Sequence, residues 1–150
     1  MSIPFQLPVK PHIKKYLTFF FQEPYKLNRK DFFGKWLYYA LRDQHDEDKY
    51  IDRLKPYTSK MIILVGRNYT FNNRMTGISA QAAIDINNWV DELIKNQFTN
   101  HMISRMEIET YQDSIQNFRK KYGFTDADLK FDCLKQHWYR FREEKGIVKV

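Results

Sequence analysis

Side chains that can read base edges and bind phosphates are concentrated near the C-terminal end of the chain. Gln, Lys and Arg carry hydrogen-bond donors that suit the base edges of a major groove, and Lys and Arg also pair with phosphates. On a helix that begins near Asp132, the spacing directs Leu134, Trp138 and Phe141 inward. The polar side chains of that helix then face outward or flank the apolar stripe: Lys135, Gln136, Tyr139, Arg140 and Arg142.

A second basic cluster lies just upstream, where Arg119, Lys120 and Lys121 are consecutive and Lys130 follows. We predict that these four side chains contact backbone phosphates, which position a protein on a duplex without reading its sequence. Two carboxylates on the outward face of the last helix would repel phosphate. An alternative is therefore that Tyr139 and the arginines bind a protein.

The elements that must position these side chains are short helices joined by tight turns. Tyr111, Ile115, Phe118 and Tyr122 fall on one helical face, and Gly123 stands where a helix C-terminus needs a left-handed residue. The pattern predicts a helix that ends at Tyr122 and a turn directly after it.

The segment after this turn predicts a short middle helix and then the last helix. Thr125 is the expected N-cap of the middle helix, with two aspartates in its first turn, and Asp132 is expected to cap the last helix. The strict helix-turn-helix pattern is only partly met, because Arg119 occupies a position that should be small. Residues 111–150 are therefore predicted to form a trihelical, helix-turn-helix-like unit packed on the rest of the chain.

The preceding residues, 1–110, are predicted to form a helical core. A helix is expected after Pro11, which suits a first helical turn, and another after Asn28 as N-cap. Gly34 inside that second helix indicates a close helix crossing. Ser79 caps the longest helical segment, which we expect to continue as one helix toward the C-terminal unit.

A small β element is predicted within this core. The apolar run 61–65 and residues 69–71 predict two short strands, or one strand and an extended loop. The first nine residues are expected to be an extended arm, because Pro4 and Pro8 disfavour a helix.

These patterns together predict a mainly helical protein with a small two-stranded β element and a C-terminal trihelical unit. The apolar side chains expected in its core are Phe32, Trp36, Ile86, Trp89, Leu93, Ile115, Phe118, Leu134, Trp138 and Phe141.

Charge is distributed unevenly along the 150 residues, whose net charge is +7. Residues 1–35 carry +5, residues 36–110 carry −1, and residues 111–150 carry +3. A basic balance favours anionic partners such as nucleic acid, although ordinary solubility explains it equally well. In the N-terminal region, Lys10, Lys14 and Lys15 are expected on a polar helix face that can add a phosphate contact.

Other sequence features favour a soluble cytoplasmic protein. Cys133 is the only cysteine, so no internal disulfide can form, and we expect it to be half-buried in the last helix. The N-terminus does not have the pattern of a signal peptide, and no apolar run is long enough to span a bilayer.

No combination of residues predicts catalysis, a cofactor or a metal. His45, Asp46, Glu47 and Asp48 are adjacent and could bind a cation, but adjacent side chains do not converge on one point. The aspartates near the last helix are explained by helix capping. The histidines lie on separate segments without ligand spacing. We therefore do not expect an enzyme.

The two ends of the chain resemble a family of uncharacterised small proteins carried by phages and mobile elements. The start of the chain, IPFQLPVKPHIKKYL, resembles that family's opening. The C-terminal pattern is met by Ile115, Phe118, Tyr122, Gly123, Phe124, Asp126, Asp128, Leu134, Lys135, Trp138, Tyr139 and Arg140. The resemblance implies a mobile-element context and DNA binding, and it brings no catalytic residues.

The sequence thus predicts a protein that binds duplex DNA through its C-terminal helices. The alternative is a non-enzymatic interaction or scaffold protein of a phage or mobile element. A homo-oligomer is also predicted, because the strand run, the face with Met102 and Met106, and the tail 147–150 present more apolar surface than one small domain needs.

Overall fold

The computed structural model describes residues 2–42, 48–72, 75 and 77–146, and within them the protein is mainly helical with a small sheet. The helices are α1 (Pro11–Phe20), α2 (Phe32–Arg42), α3 (Arg67–Asn72), α4 (Ala80–Arg105), α5 (Tyr111–Tyr122) and α6 (Phe131–Lys145), with a 3₁₀ helix at Asp48–Leu54. The strands are β1 (Ser2–Val9), β2 (Tyr25–Lys26) and β3 (Ser59–Gly66). The predicted mainly helical fold is confirmed.

The sheet has three strands rather than the predicted two, in the order β1-β3-β2. β1 pairs antiparallel with β3, with Phe5 opposite Ile63, and β2 pairs parallel with β3. The predicted extended arm is therefore an edge strand. Pro4 and Pro8 are tolerated there because an edge strand has one side without a pairing neighbour. The side chains buried by the two long strands are Phe5, Leu7, Val9, Met61, Ile63 and Val65.

Residues 69–71 were expected to be a strand or extended loop, and this prediction is wrong because they lie in α3. The hydroxyl of Thr70 donates to the carbonyl of Arg67 at 3.1 Å, and the ring of Tyr69 lies 5.5 Å from that of Tyr38. The strand preference of aromatic and β-branched residues is weak, and tertiary packing overrides it here.

The start of α2 also differs from the prediction, because Asp31 rather than Asn28 caps the helix. The Asp31 carboxylate accepts hydrogen bonds from the amide of Gly34 at 2.6 Å and from the hydroxyl of Tyr25 at 2.8 Å. Burial, together with Asp31, raises the pKa of Tyr25 above its ordinary value. Gly34 is needed because a Cβ would meet the Asn28 carbonyl and the Tyr25 hydroxyl, and not because two helices cross.

The predicted long helix α4 is confirmed, and its Ser79 cap accepts a hydrogen bond from the amide of Ala82 at 3.1 Å. Asn87 on this helix is buried. Its side chain accepts from the amide of Lys10 at 3.0 Å and donates to the carbonyl of Pro8 at 2.9 Å. The side-chain amide of Asn87 therefore links the junction of β1 and α1 to α4 by two hydrogen bonds.

The predicted core is only partly correct. Buried as expected are Ile86, Ile115, Phe118, Leu134 and Trp138. Half-buried are Trp36, Trp89, Leu93 and Phe141. Phe32 is 66% exposed, because it is the first residue of α2, and its neighbour Phe33 fills the core instead. Trp36 and Trp89 stack with their ring centroids 4.4 Å apart.

Most of the apolar surface that prompted the oligomer prediction lies inside the chain. The strand run buries Met61, Ile63 and Val65, and Met102 is 2% exposed. The tail 147–150 lies outside the described residues, as do residues 45–47 of the considered cation cluster. The homo-oligomer stays a prediction.

Cys133 is exposed, so the expectation that it is half-buried is wrong.

The chain divides into two compact units, Met1–Val90 and Asp91–Val150, and the division falls within α4. The first unit contains the sheet and α1 to α3, and the second contains the C-terminal part of α4 with α5 and α6. The predicted domains, 1–110 and 111–150, stay a prediction. In the part of the chain that the structure describes, no helix combines the length and apolar character needed to cross a membrane.

Candidate nucleic-acid interface

The helix α5, which carries Arg119, Lys120 and Lys121 in its last turn, is capped at both ends. At its start, the hydroxyl oxygen of Thr110 accepts from the amide of Asp113 at 3.2 Å. At its end, Gly123 adopts the left-handed conformation with φ of 73°. The predicted role of Gly123 is therefore confirmed, and the amide of Phe124 closes the turn on the carbonyl of Arg119 at 2.9 Å.

The short middle helix predicted after this turn does not form, because residues 125–129 make a hydrogen-bonded turn. The Asp128 carboxylate accepts from the amide of Thr125, as in a capping box, but only a single turn follows and no helix forms. Lys130, rather than Asp132, is the N-cap residue of α6. Asp132 lies in the first turn, where the helix dipole favours a carboxylate.

Arg119 is 8% exposed and holds α5 to the turn before α6. Its Nε donates to the carbonyl of Leu129 at 3.1 Å, and its other nitrogens donate to Gln116 and Asp126. A guanidinium has five donors in a fixed fork, which suits several acceptors at once. Arg119 therefore organises the turn and does not present its charge to a phosphate.

Five of the predicted site residues are exposed: Lys120, Lys121, Lys130, Gln136 and Arg140. The first two lie in the last turn of α5 and the third begins α6, so the turn at Arg119 brings this end of both helices together. Gln136 and Arg140 lie one helical turn apart on α6. The order of the elements places the three lysines at the same end of α5 and α6, with Lys121 beside Tyr122 and lining a pocket with residues of α4, whereas Gln136 and Arg140 lie further along α6.

Lys135, Tyr139 and Arg142 are half-buried along the groove between α5 and α6. The Lys135 ammonium lies 5.9 Å from the ring centroid of Tyr111 and 5.8 Å from that of Tyr139. The Arg142 guanidinium lies 5.8 Å from the ring centroid of Trp138. Their half-burial makes these cations less accessible than the three lysines, of which Lys121 also lies 5.4 Å from a ring centroid, that of Tyr122.

The carboxylates on α6 limit its positive potential. Asp132 and Glu143 are exposed on the same face as Gln136, as the spacing predicted. Asp132 also lies two residues after Lys130, so the junction of α5 and α6 carries exposed carboxylates as well as lysines. There, Asp126 is paired with Arg119.

The N-terminal lysines have partners within the first unit. Lys14 forms an ion pair with Glu23 at 3.5 Å, and the Lys10 ammonium lies 5.5 Å from the ring centroid of Tyr57. Lys15 is half-buried on the same helix. A phosphate contact from these residues stays a prediction.

Two histidines of the second unit are shifted toward their neutral form. Burial lowers the pKa of His137 below its ordinary 6.5, and the positive charges of Lys95 and Arg140 lower it further. Burial also lowers the pKa of His101, whose Nε2 lies 2.8 Å from the carbonyl oxygen of Ser114. Neither histidine therefore adds much positive charge to this unit near neutral pH.

No group of three or more His, Cys, Asp or Glu side chains in residues 2–42, 48–72, 75 and 77–146 is arranged to hold a metal ion. Asp126 and Asp128, which resemble a cation-binding pair in sequence, are engaged by Arg119 and by the amide of Thr125.

No family model, curated protein or solved structure matches the chain. The resemblance to phage and mobile-element proteins therefore stays a prediction from the residues quoted for it. Any functional assignment rests on the geometry of this chain.

Sequence reasoning missed two polar clusters that depend on tertiary contacts. The first is Asn87, whose burial follows only from the position of β1. The second is Glu109, which accepts from the hydroxyl of Ser114 and the amide of Asn117, both at 2.9 Å. The bond from Ser114, followed by the charge of Arg105, lowers the pKa of Glu109. Their spacing on α5, at five and eight residues from Glu109, is the signal that could have shown this cluster.

Proposed function

We propose that the protein binds duplex DNA through α5, the turn after it and α6, without catalysing a reaction. The observation that supports the proposal is the exposure of three lysines, two in the last turn of α5 and one at the N-cap of α6: Lys120, Lys121 and Lys130. Ammonium groups on one surface neutralise phosphates and release counterions, which is the main source of sequence-independent affinity for DNA.

Within this proposal, the phosphates and the bases are contacted by different residues. The three lysines bind backbone phosphates and fix the orientation of α6. Gln136 and Arg140 lie on the exposed side of that helix, and their side chains suit adenine and guanine edges, respectively. Arg119 has an indirect role, because it holds the turn between the two helices that carry the lysines.

The mobile-element context belongs to the proposal as well. It depends on the resemblance of the two chain ends to proteins carried by phages and mobile elements. In that context the protein would be a DNA-binding protein of a phage or mobile element.

A mobility-shift experiment with charge-removing variants tests the proposal. Lys120→Met should weaken binding to all duplex sequences alike, because a phosphate contact carries no sequence information. Lys60→Met is the matched control, since Lys60 is also an exposed lysine and lies on β3. Equal loss of affinity in the two variants would mean that binding depends on net charge and not on the proposed surface.

A second pair of variants tests base recognition. Gln136→Ala should change the preference among duplex sequences, at a cost of about 1–3 kcal/mol for the preferred site. Gln97→Ala removes an exposed amide from α4 and should leave the preference unchanged. An unchanged preference in Gln136→Ala would remove this residue from the proposed base contacts.

A protein-binding function is the alternative, and one observation favours it. In the first unit, Phe32 is 66% exposed and Tyr39 is 41% exposed, and both lie on α2. Exposed aromatic side chains are enriched in protein interfaces. This alternative predicts a protein partner that is retained at high salt and lost in Phe32→Ser, whereas DNA binding would be weak and unaffected by that change.

A further inference from the structure

The solvent-exposed face of α2 carries aromatic rings and cations in alternation. The exposed side chains of this helix are Phe32, Lys35, Tyr39 and Arg42. Their spacing of three, four and three residues places them in one stripe along one side of the helix. The helix therefore presents a ring, a cation, a second ring and a second cation to solvent, in that order.

Both rings are held in place by neighbouring groups. The ring centroid of Phe32 lies 5.2 Å from that of Trp89 on α4, yet Phe32 remains 66% exposed, so its ring has a packed side and an open side. The ring centroid of Tyr39 lies 5.3 Å from that of Tyr38 and 4.9 Å from the Arg42 guanidinium. A side chain that is ordered before binding loses little conformational entropy when a flat group stacks on it.

The charge around this face favours an anionic partner. Residues 26–42 contain five Lys and Arg residues and a single acid, Asp31. The Asp31 carboxylate already accepts hydrogen bonds from the hydroxyl of Tyr25 and from a backbone amide. Acidic residues follow the helix in sequence, so the anion is assigned to the N-terminal part of the face, where Lys30 and Lys35 are exposed.

Rings that alternate with cations suit a single-stranded nucleic acid, because its bases stack on the rings and its phosphates pair with the cations. Seven residues of helix separate Phe32 from Tyr39 by about 10 Å along the axis, whereas the nucleotides of one strand in a duplex are ~3.4 Å apart. Two bases reach both rings only when they are unstacked from each other, as in a single strand. A protein partner would also cover the rings, but lysines are depleted from protein interfaces.

We propose that the exposed face of α2 binds single-stranded DNA. Phe32 and Tyr39 stack on two bases, and Lys30 and Lys35 pair with the phosphates on either side of the first ring. The exposed side chains of α2 include no amide or carboxylate that would select the 2′-hydroxyl of RNA. This surface lies in the first unit, whereas the lysines proposed to bind duplex DNA belong to the second.

Fluorescence anisotropy of the full-length protein with a labelled decamer of thymidylate tests this surface. Half-saturation at ~50 mM salt is expected below ~100 μM protein. Phe32→Ala should weaken binding at least about fivefold, because a stacked base is lost. Phe19→Ala is the matched control: it removes an exposed phenylalanine from α1 in the same unit and should leave the affinity within about twofold of the wild type.

A second set of measurements separates base contacts from phosphate contacts. An abasic decamer with the same phosphates should bind at least about fivefold more weakly than thymidylate. Lys35→Met should reduce the slope of log affinity against log salt concentration by about 0.7.

The single-strand surface and the duplex surface are tested separately by one exchange of variants. Lys120→Met should leave the affinity for the single strand within about twofold of the wild type, and Phe32→Ala should do the same for the affinity for duplex DNA. Failure of one proposal therefore does not imply failure of the other.

Four results would overturn the proposal. The first is no binding of thymidylate at ~100 μM protein, which would leave a protein as the partner of these rings. The second is equal binding of the abasic decamer. The third is an equal effect of Phe32→Ala and Phe19→Ala or, if circular dichroism shows that Phe32→Ala is unfolded, a salt slope that Lys35→Met leaves unchanged. The fourth is a uridylate decamer that binds more than about tenfold more tightly than thymidylate, which would assign the surface to RNA.

Discussion

The Nε of Arg119 donates to the carbonyl oxygen of Leu129 at 3.1 Å, so the end of α5 and the segment before α6 are joined by one buried guanidinium. This contact explains how two short helices hold a fixed turn that has no helix of its own. It also explains why Arg119 is buried whereas Lys120 and Lys121, which follow it directly in sequence, are exposed.

Removing this guanidinium should destabilise the protein. Arg119→Met keeps most of the apolar stem but loses the donors to Leu129, Gln116 and Asp126, and hydrogen bonds from charged groups contribute about 1.5–3 kcal/mol. Urea unfolding should therefore show a free energy of unfolding that is lower by about that amount. Lys120→Met, the same change at the exposed neighbour, should stay within about 0.5 kcal/mol of the wild type. Equal stability of the two variants would contradict the structural role of Arg119.

Gly34 should be intolerant of any side chain although it lies inside a helix. Alanine there would gain up to ~1 kcal/mol of helix propensity, but its Cβ would collide with the backbone carbonyl of Asn28. Overpacking of this kind costs about 1–3 kcal/mol, so the melting temperature of Gly34→Ala should fall. Gly77→Ala is the control, because a Cβ at Gly77 meets nothing within 4 Å. A melting temperature of Gly34→Ala at or above that of the control would show that α2 starts differently.

The stability of the second unit should depend on pH below about 6.5. Burial lowers the pKa values of His101 and His137 in the folded protein from the ordinary 6.5. Between the lowered value and 6.5 the unfolded chain binds more protons, so the free energy of unfolding is greatest above 6.5 and decreases as the pH falls. Urea unfolding at pH 7.5, 6.5 and 5.5 measures this decrease.

Replacing His137 by Phe tests whether this histidine contributes to the decrease. The imidazole lies 6.1 Å from the ring of Phe98, so an aromatic replacement keeps the ring contact and removes the titrating group. The variant should lose less stability between pH 7.5 and 5.5 than the wild type does. An unchanged pH dependence would assign the effect to His101 or to other groups.

The elements predicted correctly from the sequence are those fixed by local signals. Ser79 caps α4, Pro11 begins α1 and Gly123 ends α5, because capping and left-handed turns depend on a few neighbouring residues. The apolar spacing on α5 and α6 correctly placed Ile115, Phe118, Leu134 and Trp138 in the core, whereas Phe141 is half-buried.

The predictions that failed depend on contacts between different elements of the chain, which helical and strand spacing does not describe. The first strand was expected to be an extended arm, because its prolines disfavour a helix. The sequence does not show its pairing partner β3, which lies fifty or more residues away. Asp31 replaces Asn28 as a cap because Tyr25 donates to it from the neighbouring strand. The burial of Arg119 requires the Leu129 carbonyl, whose position no local pattern predicts.

The exposed side chains of the candidate interface were predicted correctly, but the ring contacts of its other cations were not. Helical spacing separates outward from inward positions, so Gln136 and Arg140 are exposed as expected. Helical spacing does not show which rings lie beside a side chain. It therefore did not predict that Lys135 lies near the ring of Tyr111 on α5, or that Arg142 lies near the ring of Trp138.

The salt dependence of duplex DNA binding tests the central claim most directly. Lys120, Lys121 and Lys130 can neutralise about three phosphates, which predicts a slope of about −2.7 in log affinity against log salt concentration. Affinity should then fall about 40-fold between ~50 and ~200 mM salt, and Lys120→Met should reduce the slope by about one. A fluorescence-anisotropy titration of a labelled duplex measures both. No binding at ~50 mM salt with ~10 μM protein, or a slope that Lys120→Met leaves unchanged, would contradict DNA binding through this surface.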